Sequence, residues 1–196
     1  MKKIMMTLVM TVVVLTASAQ NTGYDAGSFT LQPKVGIAMG HISGTWSSND
    51  NASSKWRTGL IAGVEGEYYF NDWLSAAVGV NYAQQGWKLE SSKATETTKL
   101  DFINVPIVAN FYISQGLALK TGVQMGFLAS AKTESTDIKD ECNSTIISIP
   151  VGISGEYNNF VLDARYNFGV TKVNKSGDDS QRTDLFVITI GYKFQL

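Results

Sequence analysis

Apolar and polar residues alternate along most of this chain. In the stretch FVLDARYNFGV, Phe160 to Val170, large apolar residues occupy even positions, whereas Asp163, Arg165 and Asn167 occupy odd ones. A period of two predicts a β-strand, because successive side chains of a strand point to opposite faces. Outside the first twenty residues, no stretch has sustained helical periodicity. The predicted strands are Phe29–Gly40, Trp56–Phe70, Leu74–Trp87, Lys99–Ile113, Leu117–Ala131, Thr145–Tyr157, Phe160–Thr171 and Arg182–Leu196.

Short and long links alternate between these strands. The short links, NDW (71–73), SQG (114–116) and NN (158–159), consist of residues that favour tight hairpin turns. The long links are polar: HISGTWSSNDNASSK, KLESSKATETT, KTESTDIKDECNS and KVNKSGDDSQ. Alternate links of an up-and-down sheet emerge at the same end, so the tight turns share one end and the long loops the other. Short periplasmic turns and long outer loops are typical of outer-membrane barrels.

We therefore predict an all-β fold, a closed antiparallel up-and-down transmembrane β-barrel of eight strands. Such a barrel has an interior only just wide enough for side chains, so the face with many bulky apolar residues is expected outside. The polar face is then expected to fill the interior as a network of paired charges and amides. Its members are Lys34, Glu65, Glu67, Asn104, Lys120, Gln124, Glu156, Asp163, Arg165 and Lys193.

The short turns also predict the register of neighbouring strands. Counting outward from them places Glu65 opposite Gly79, Arg165 opposite Gly152 and Pro106 opposite Gln124. Aromatic residues gather next to the same turns, as in the belt that amphipathic rings form at a membrane interface. This predicted belt contains Phe29, Tyr68, Tyr69, Phe70, Trp73, Phe111, Tyr112, Tyr157, Phe160, Tyr192 and Phe194. We expect them to contact outer-membrane lipid.

The first nineteen residues are predicted to be a cleaved signal peptide. Lys2 and Lys3 precede an uncharged apolar run that ends in the small-residue site ASA (17–19), so cleavage is expected between Ala19 and Gln20. The run is too short for a membrane-spanning helix, which needs about 20 residues. The predicted mature domain is the barrel of residues 20–196. Charged residues make up only 17% of the chain, below the roughly 25% of ordinary soluble domains.

Composition argues against several function classes. Without Lys2 and Lys3, the chain has 14 basic and 17 acidic residues, a net charge of −3. Nucleic acid is therefore not expected as a partner. The single cysteine, Cys142, cannot form an internal disulfide. A single histidine, His41, excludes His-rich metal sites, and we expect no cofactor and no enzymatic activity. The alternative of a lipid-modifying outer-membrane enzyme would have to use His41 with Ser43 or Ser47 and Asp50.

Three segments carry a family resemblance. FINVPIVANFYI, LKTGVQMGFLASAK and LDARYNFGVTKV resemble successive strands of the PorT-like, porin-family outer-membrane β-barrels. The resemblance implies an outer-membrane barrel of mostly undefined function. The last segment, LFVITIGYKFQL, is similar to the terminal strands by which outer-membrane assembly machinery recognises barrels, which implies that machinery as a partner during biogenesis.

The sequence leaves three functions open. The first is a structural or interaction scaffold whose long outer loops bind an extracellular or envelope partner, with a polar, filled lumen and little or no transport. The second is a small porin or channel, which the narrow interior of eight strands disfavours. The third is a soluble, lipocalin-like barrel with the faces inverted, which would bind an apolar ligand inside.

Overall fold

The computed structural model describes residues 24–43, 53–91, 94–133, 136–137, 143–171 and 182–196. Two short strand pieces pair with the long strands: Thr136–Asp137 pairs with Leu117–Thr133, and Phe194–Gln195 pairs with Phe29–Ser43. None of the described residues forms a helix long and apolar enough to cross a membrane. The long strands are β1 (Phe29–Ser43), β2 (Ser53–Asn71), β3 (Leu74–Ser91), β4 (Ala94–Ser114), β5 (Leu117–Thr133), β6 (Thr145–Tyr157), β7 (Phe160–Gly169) and β8 (Arg182–Tyr192).

Each long strand pairs antiparallel with the next, and β1 pairs with β8 to close the sheet. The closing ladder runs from Lys34 opposite Gly191 to Ser43 opposite Arg182. The predicted closed eight-stranded barrel is confirmed. Its last strand is shorter than expected, because the ladder is interrupted at Lys193 before resuming at Phe194.

Tight turns join β2 to β3, β4 to β5 and β6 to β7 at one end of the barrel. Asn158 and Asn159 both have positive φ, 48° and 68°, as the favoured two-residue hairpin turn requires. At the β2–β3 turn, the side-chain oxygen of Asn71 accepts hydrogen bonds from the backbone N–H groups of Trp73 and Leu74, at 3.1 and 2.8 Å. These local bonds explain why such short sequences reverse the chain.

The predicted registers are confirmed. Glu65 lies opposite Gly79, Arg165 opposite Gly152, and Pro106 opposite Gln124. A β-carbon at Gly152 would lie 2.8 Å from Cγ of Arg165. The absence of a side chain at Gly152 therefore leaves the space that the long arginine needs inside a narrow barrel.

Large apolar side chains face outward on every long strand. Val64, for example, is 39% exposed, whereas Glu65, the next residue of β2, is 2% exposed. This arrangement is the reverse of what a soluble, lipocalin-like barrel requires, because such a barrel places its apolar face inside. The outward face instead has the apolar character of a wall that contacts lipid.

The strands on one side of the barrel are longer than the alternation predicted. β2 to β5 contain 17–21 residues, whereas β6, β7 and β8 contain 13, 10 and 11. The predicted loop KLESSKATETT is wrong, because β3 and β4 continue through most of it, with Lys88 opposite Thr97 and Ser91 opposite Ala94. Its polar composition suggested a loop, but threonine favours strands and a strand surrounded by water needs no apolar outer face.

The interior is divided into two zones. Charged and amide side chains fill the half next to the tight turns, which we call the charged zone. The half next to the long links, where Gln85 and Thr183 are also buried, is lined mainly by apolar residues, and we call it the apolar zone: Ala38, Ile61, Ala83, Leu100, Phe102, Leu128, Ala131, Ile146, Leu185 and Val187. The expectation of a polar interior therefore holds for one half of the barrel only.

Candidate functional site

The charged zone contains the residues predicted to form an interior network. The structure buries all of them, with 7% exposure or less: Lys34, Glu65, Glu67, Asn104, Lys120, Gln124, Glu156, Asp163, Arg165 and Lys193. Nine of them come from long strands, with none on β3 or β8, and Lys193 directly follows β8; period-two alternation points the strand members inward. The eight charged members, four cations and four anions, form two groups.

The central group is built around Glu65. One of its carboxylate oxygens lies 2.5 Å from Nζ of Lys34 and 2.8 Å from Nη2 of Arg165, and the other lies 3.4 Å from Nζ of Lys120. Asp163 lies 2.7 Å from both Nζ of Lys120 and Nε of Arg165. Three cations therefore share two carboxylates, and each carboxylate accepts from more than one donor.

The second group lies closer to the tight turns and is built around Lys193. Its Nζ lies 2.9 Å from carboxylate oxygens of both Glu67 and Glu156. It also donates to the hydroxyl oxygens of Tyr69 and Tyr112, at 2.7 and 3.1 Å. This Lys193 group has two anions and one cation, so its charge is opposite to that of the central group.

Tyr69 and Tyr112 correct the predicted aromatic belt. Both were expected at the lipid interface, but their hydroxyl groups meet inside the barrel, 3.0 Å apart. Tyr69 shares the inward parity of Glu65 and Glu67, which the alternation alone would have indicated. The remaining members of the predicted belt point outward and are 37–55% exposed: Phe29, Tyr68, Phe70, Trp73, Phe111, Tyr157, Phe160, Tyr192 and Phe194.

Tyr24 is a member of the Lys193 group that sequence reasoning missed. It precedes β1, and its hydroxyl donates to Oε1 of Glu156 at 2.6 Å. Its ring lies 4.7 Å from that of Tyr69, between ring centroids, and 5.2 Å from Nζ of Lys193. Burial, reinforced by the bond to Glu156, raises the pKa of Tyr24, so its hydroxyl remains a protonated donor at neutral pH.

A small polar cavity separates the charged zone from the apolar zone. Its volume is about 10 Å³, at the lower limit of what one water molecule needs. Asn81, Asn104 and Asn167 contribute polar atoms to its wall, and Arg165 and Leu185 line it from opposite zones. The middle of the lumen is therefore packed with side chains.

The residues of the enzyme alternative are not brought together in the described part of the chain. The ring of His41 lies 5.1 Å from that of Trp56, between centroids. Ser47, Asp50 and the side chain of Ser43 lie outside the described residues, as do Cys142 and the predicted cleavage site at Ala19 and Gln20. Among the described residues, no group of three or more His, Cys, Asp or Glu side chains is arranged to hold a metal ion.

Residues 18–175 match the family model described as outer membrane protein beta-barrel domain. No curated protein matches the sequence. Among solved structures, the chain is similar to Ail, the attachment invasion locus protein of Yersinia pestis, in complex with the heparin analogue sucrose octasulfate. The TM-score is 0.52 and the identity 20%, with 86% of this chain and 99% of that chain covered.

Two further outer-membrane structures have the same fold. Neisserial surface protein A matches with a TM-score of 0.51 and 20% identity, covering 85% of this chain and 97% of that chain. OprG from Pseudomonas aeruginosa matches with a TM-score of 0.51 and 12% identity, covering 89% and 99%. At these identities the likeness is one of fold.

Proposed function

Because this chain belongs to the outer membrane protein beta-barrel domain family and lies in the bacterial outer membrane, we propose that it is an interaction scaffold. In this proposal the outer rim of the barrel binds an extracellular or envelope partner, and the lumen conducts little or nothing. Within the family, the segments FINVPIVANFYI and LDARYNFGVTKV favour the PorT-like, porin-family barrels.

The packing of the charged zone carries the proposal. Glu65 is bonded to three cations inside the barrel, and the adjoining cavity has room for one water molecule at most. Opening a path would separate these buried ion pairs, and leaving a buried charge without a partner costs about 3–5 kcal/mol. The network therefore favours a closed, rigid lumen over a conducting one.

The longer strands support the outer rim as the binding surface. β2 to β5 exceed β6 to β8 by about seven residues on average. At a rise of about 3.3 Å per residue and a tilt of about 40°, β2 to β5 extend on the order of 20 Å beyond the described ends of β6 to β8. We call this the raised wall; it provides a folded surface outside the membrane in addition to the long links.

The raised wall can be shortened at the β3–β4 hairpin, at the cost of the β3 partners of residues 53–55 on β2. Trp87 and Thr98 are opposite each other on β3 and β4, so replacing residues 88–97 by Asn-Gly leaves a two-residue hairpin. On intact cells, a membrane-impermeant maleimide that carries a photo-crosslinker is attached to Cys142. The partners crosslinked to the native protein are then compared with those crosslinked to this variant. We expect crosslinked partners with the native protein and their loss with the variant, while both keep the heat-dependent gel mobility of a folded barrel.

Planar-bilayer recording tests the closed lumen separately. We expect no large, steady conductance for the native protein. A steady conductance, together with identical crosslinks for the native and shortened proteins, would replace the scaffold with the small-porin alternative. An additional enzymatic role is not part of the proposal.

Two steps of biogenesis also belong to the proposal. The exported protein is expected to begin at Gln20, and the outer-membrane assembly machinery is expected to recognise the terminal segment that ends at Leu196. Intact-mass measurement of the exported protein checks the first step. A mature protein that retains residues 1–19 would contradict it.

A further inference from the structure

We propose that the segment before β1 is a built-in plug, in which Tyr24 closes the periplasmic mouth of the lumen over the Lys193 group. Removing the Tyr24 ring is expected to open this mouth to small periplasmic solutes while the barrel stays closed around them. This inference does not depend on the scaffold proposal, because it concerns the opposite end of the molecule.

The position of Tyr24 is the first support for a plug. Three tyrosine rings surround Nζ of Lys193, with centroid distances of 5.2 Å for Tyr24, 5.4 Å for Tyr69 and 5.6 Å for Tyr112. Tyr69 and Tyr112 belong to strands of the barrel wall, whereas Tyr24 does not. The Tyr24 ring is therefore the one of these three rings around Lys193 that does not come from a strand, and it covers the lumen at the tight-turn end.

The attachment of the segment is the second support. A turn with a hydrogen bond from Ser28 N to Asp25 O, at 3.0 Å, precedes β1, and Gly27 has a φ of 89°. Gly27 N also donates to Tyr69 O at 2.8 Å. Ser28 O accepts from Tyr69 N at 3.0 Å, so residues 27 and 28 are tied to β2, whereas Tyr24 lies ahead of them; moving Tyr24 breaks its bond to Glu156 and leaves the closed sheet intact.

The charge beneath Tyr24 predicts which solutes would enter. Glu67 and Glu156 contribute two negative charges against the single positive charge of Lys193. Opposite charges attract across a partly desolvated mouth, and like charges repel. An unplugged mouth is therefore expected to admit small cations more readily than small anions.

Cysteine labelling in lipid nanodiscs tests the plug, because both ends of the barrel are then accessible. In a Cys142→Ser background, Ala118→Cys is the reporter, since Ala118 is buried next to the mouth, opposite Tyr112 and Ser154. Ala83→Cys is the matched control, because Ala83 is equally buried but lies in the apolar zone. Methanethiosulfonates bearing either a trimethylammonium or a sulfonate group are the probes.

We expect Tyr24→Ala to raise the rate of cationic labelling at Ala118→Cys by about tenfold, as local opening does when a weakly held segment is released. Tyr24→Phe keeps the ring and loses only the bond to Glu156, so its increase should be smaller. The rate at Ala83→Cys should not change. When each rate is divided by that of the same probe with a free thiol in solution, the cationic probe should react faster than the anionic one.

A substitution on the outer surface provides the remaining control. Tyr157→Ala removes an exposed ring at the same end of the barrel and should leave the labelling of Ala118→Cys unchanged. An equal labelling rate with and without the Tyr24 ring would overturn the plug. A matching rise at Ala83→Cys would also overturn it, because the whole barrel would then have loosened.

Discussion

The charged zone and the apolar zone occupy the same lumen and are built from the same strands, yet their chemistry is opposite. On β4, Asn104 and Asn110 point inward within the charged zone. Farther along the same face of the same strand, Leu100 and Phe102 point inward within the apolar zone. Alternation continues along β4, but the β4–β5 ladder shifts register between Asp101 and Phe102, so the change of chemistry coincides with an irregularity in the sheet.

Adjacent pairs of bulky apolar residues accompany this change. In each pair one residue points outward and its neighbour inward: Leu60–Ile61, Ile103–Phe102, Phe127–Leu128 and Ile147–Ile146. Ile61, Ala83, Phe102 and Leu128 are successive neighbours across the sheet, so three of the pairs form one continuous row. We infer that this row lies near the outer boundary of the membrane. On this inference, lipid surrounds the wall below the row and water surrounds it above, where apolar side chains turn inward.

The largest effect is expected from removing the shared anion of the charged zone. Glu65→Gln keeps the shape of the side chain but leaves Lys34, Lys120 and Arg165 with Asp163 alone. We expect the free energy of unfolding, measured by denaturant titration in lipid vesicles, to fall by about 3–5 kcal/mol. Arg165→Met should cost less, because two cations would then face two anions.

An exposed acid serves as the control for the charged zone. Asp72 lies in the β2–β3 turn, and Asp72→Asn should change the free energy of unfolding by about 0.5 kcal/mol or less. If Glu65→Gln were as mild as this control, the ion pairs would contribute little to stability, and the contrast between the two zones would lose its energetic basis.

The apolar zone should respond to lost volume instead of lost charge. Phe102 is fully buried, so Phe102→Ala is expected to lower the free energy of unfolding by about 3–4 kcal/mol. Ile103 is its sequence neighbour on the outer face and is 43% exposed, so Ile103→Ala should cost distinctly less. Equal losses for the two variants would show that the apolar zone is not a packed core.

A charge scan along the outer face of β4 sharpens the boundary between the zones. Ile107 lies midway between the aromatic belt at Phe111 and the proposed boundary at Ile103. Ile107→Lys should therefore cost about 2–3 kcal/mol, as expected for a lysine near the bilayer midplane, whereas Asp101→Lys should cost about 0–1 kcal/mol. Similar costs at both positions would move the boundary outward beyond Asp101.

The sequence predicted the parts of the fold that follow from alternation and turn chemistry. Tight turns pin the registers on both sides of them, which is why Glu65–Gly79 and Arg165–Gly152 could be placed in advance. The same parity placed the charged side chains inside. It could also have placed Tyr69 inside, but grouping residues by their aromatic character obscured this.

Other features could not be predicted from the alternation of polar and apolar residues. The raised wall passes through KLESSKATETT, whose polar composition resembles that of a loop although β3 and β4 pair through most of it. Tyr24 belongs to no strand, so neither period nor register predicts its contact with Glu156, which is 132 residues away. The pairing of Phe102 with Ile103 was visible in the sequence, but its meaning depended on knowing where the lipid ends.

The closing ladder between β1 and β8 sets the order of events during folding. The ion pair between Glu65 and Arg165 joins residues 100 positions apart, and Lys34 meets Gly191 only when both ends of the chain are present. Contacts this distant in sequence make folding slow. Until the ladder closes, the inward charges would face lipid without all their partners. We therefore expect insertion and closure to occur together, and a chain that lacks β8 not to insert stably into the membrane.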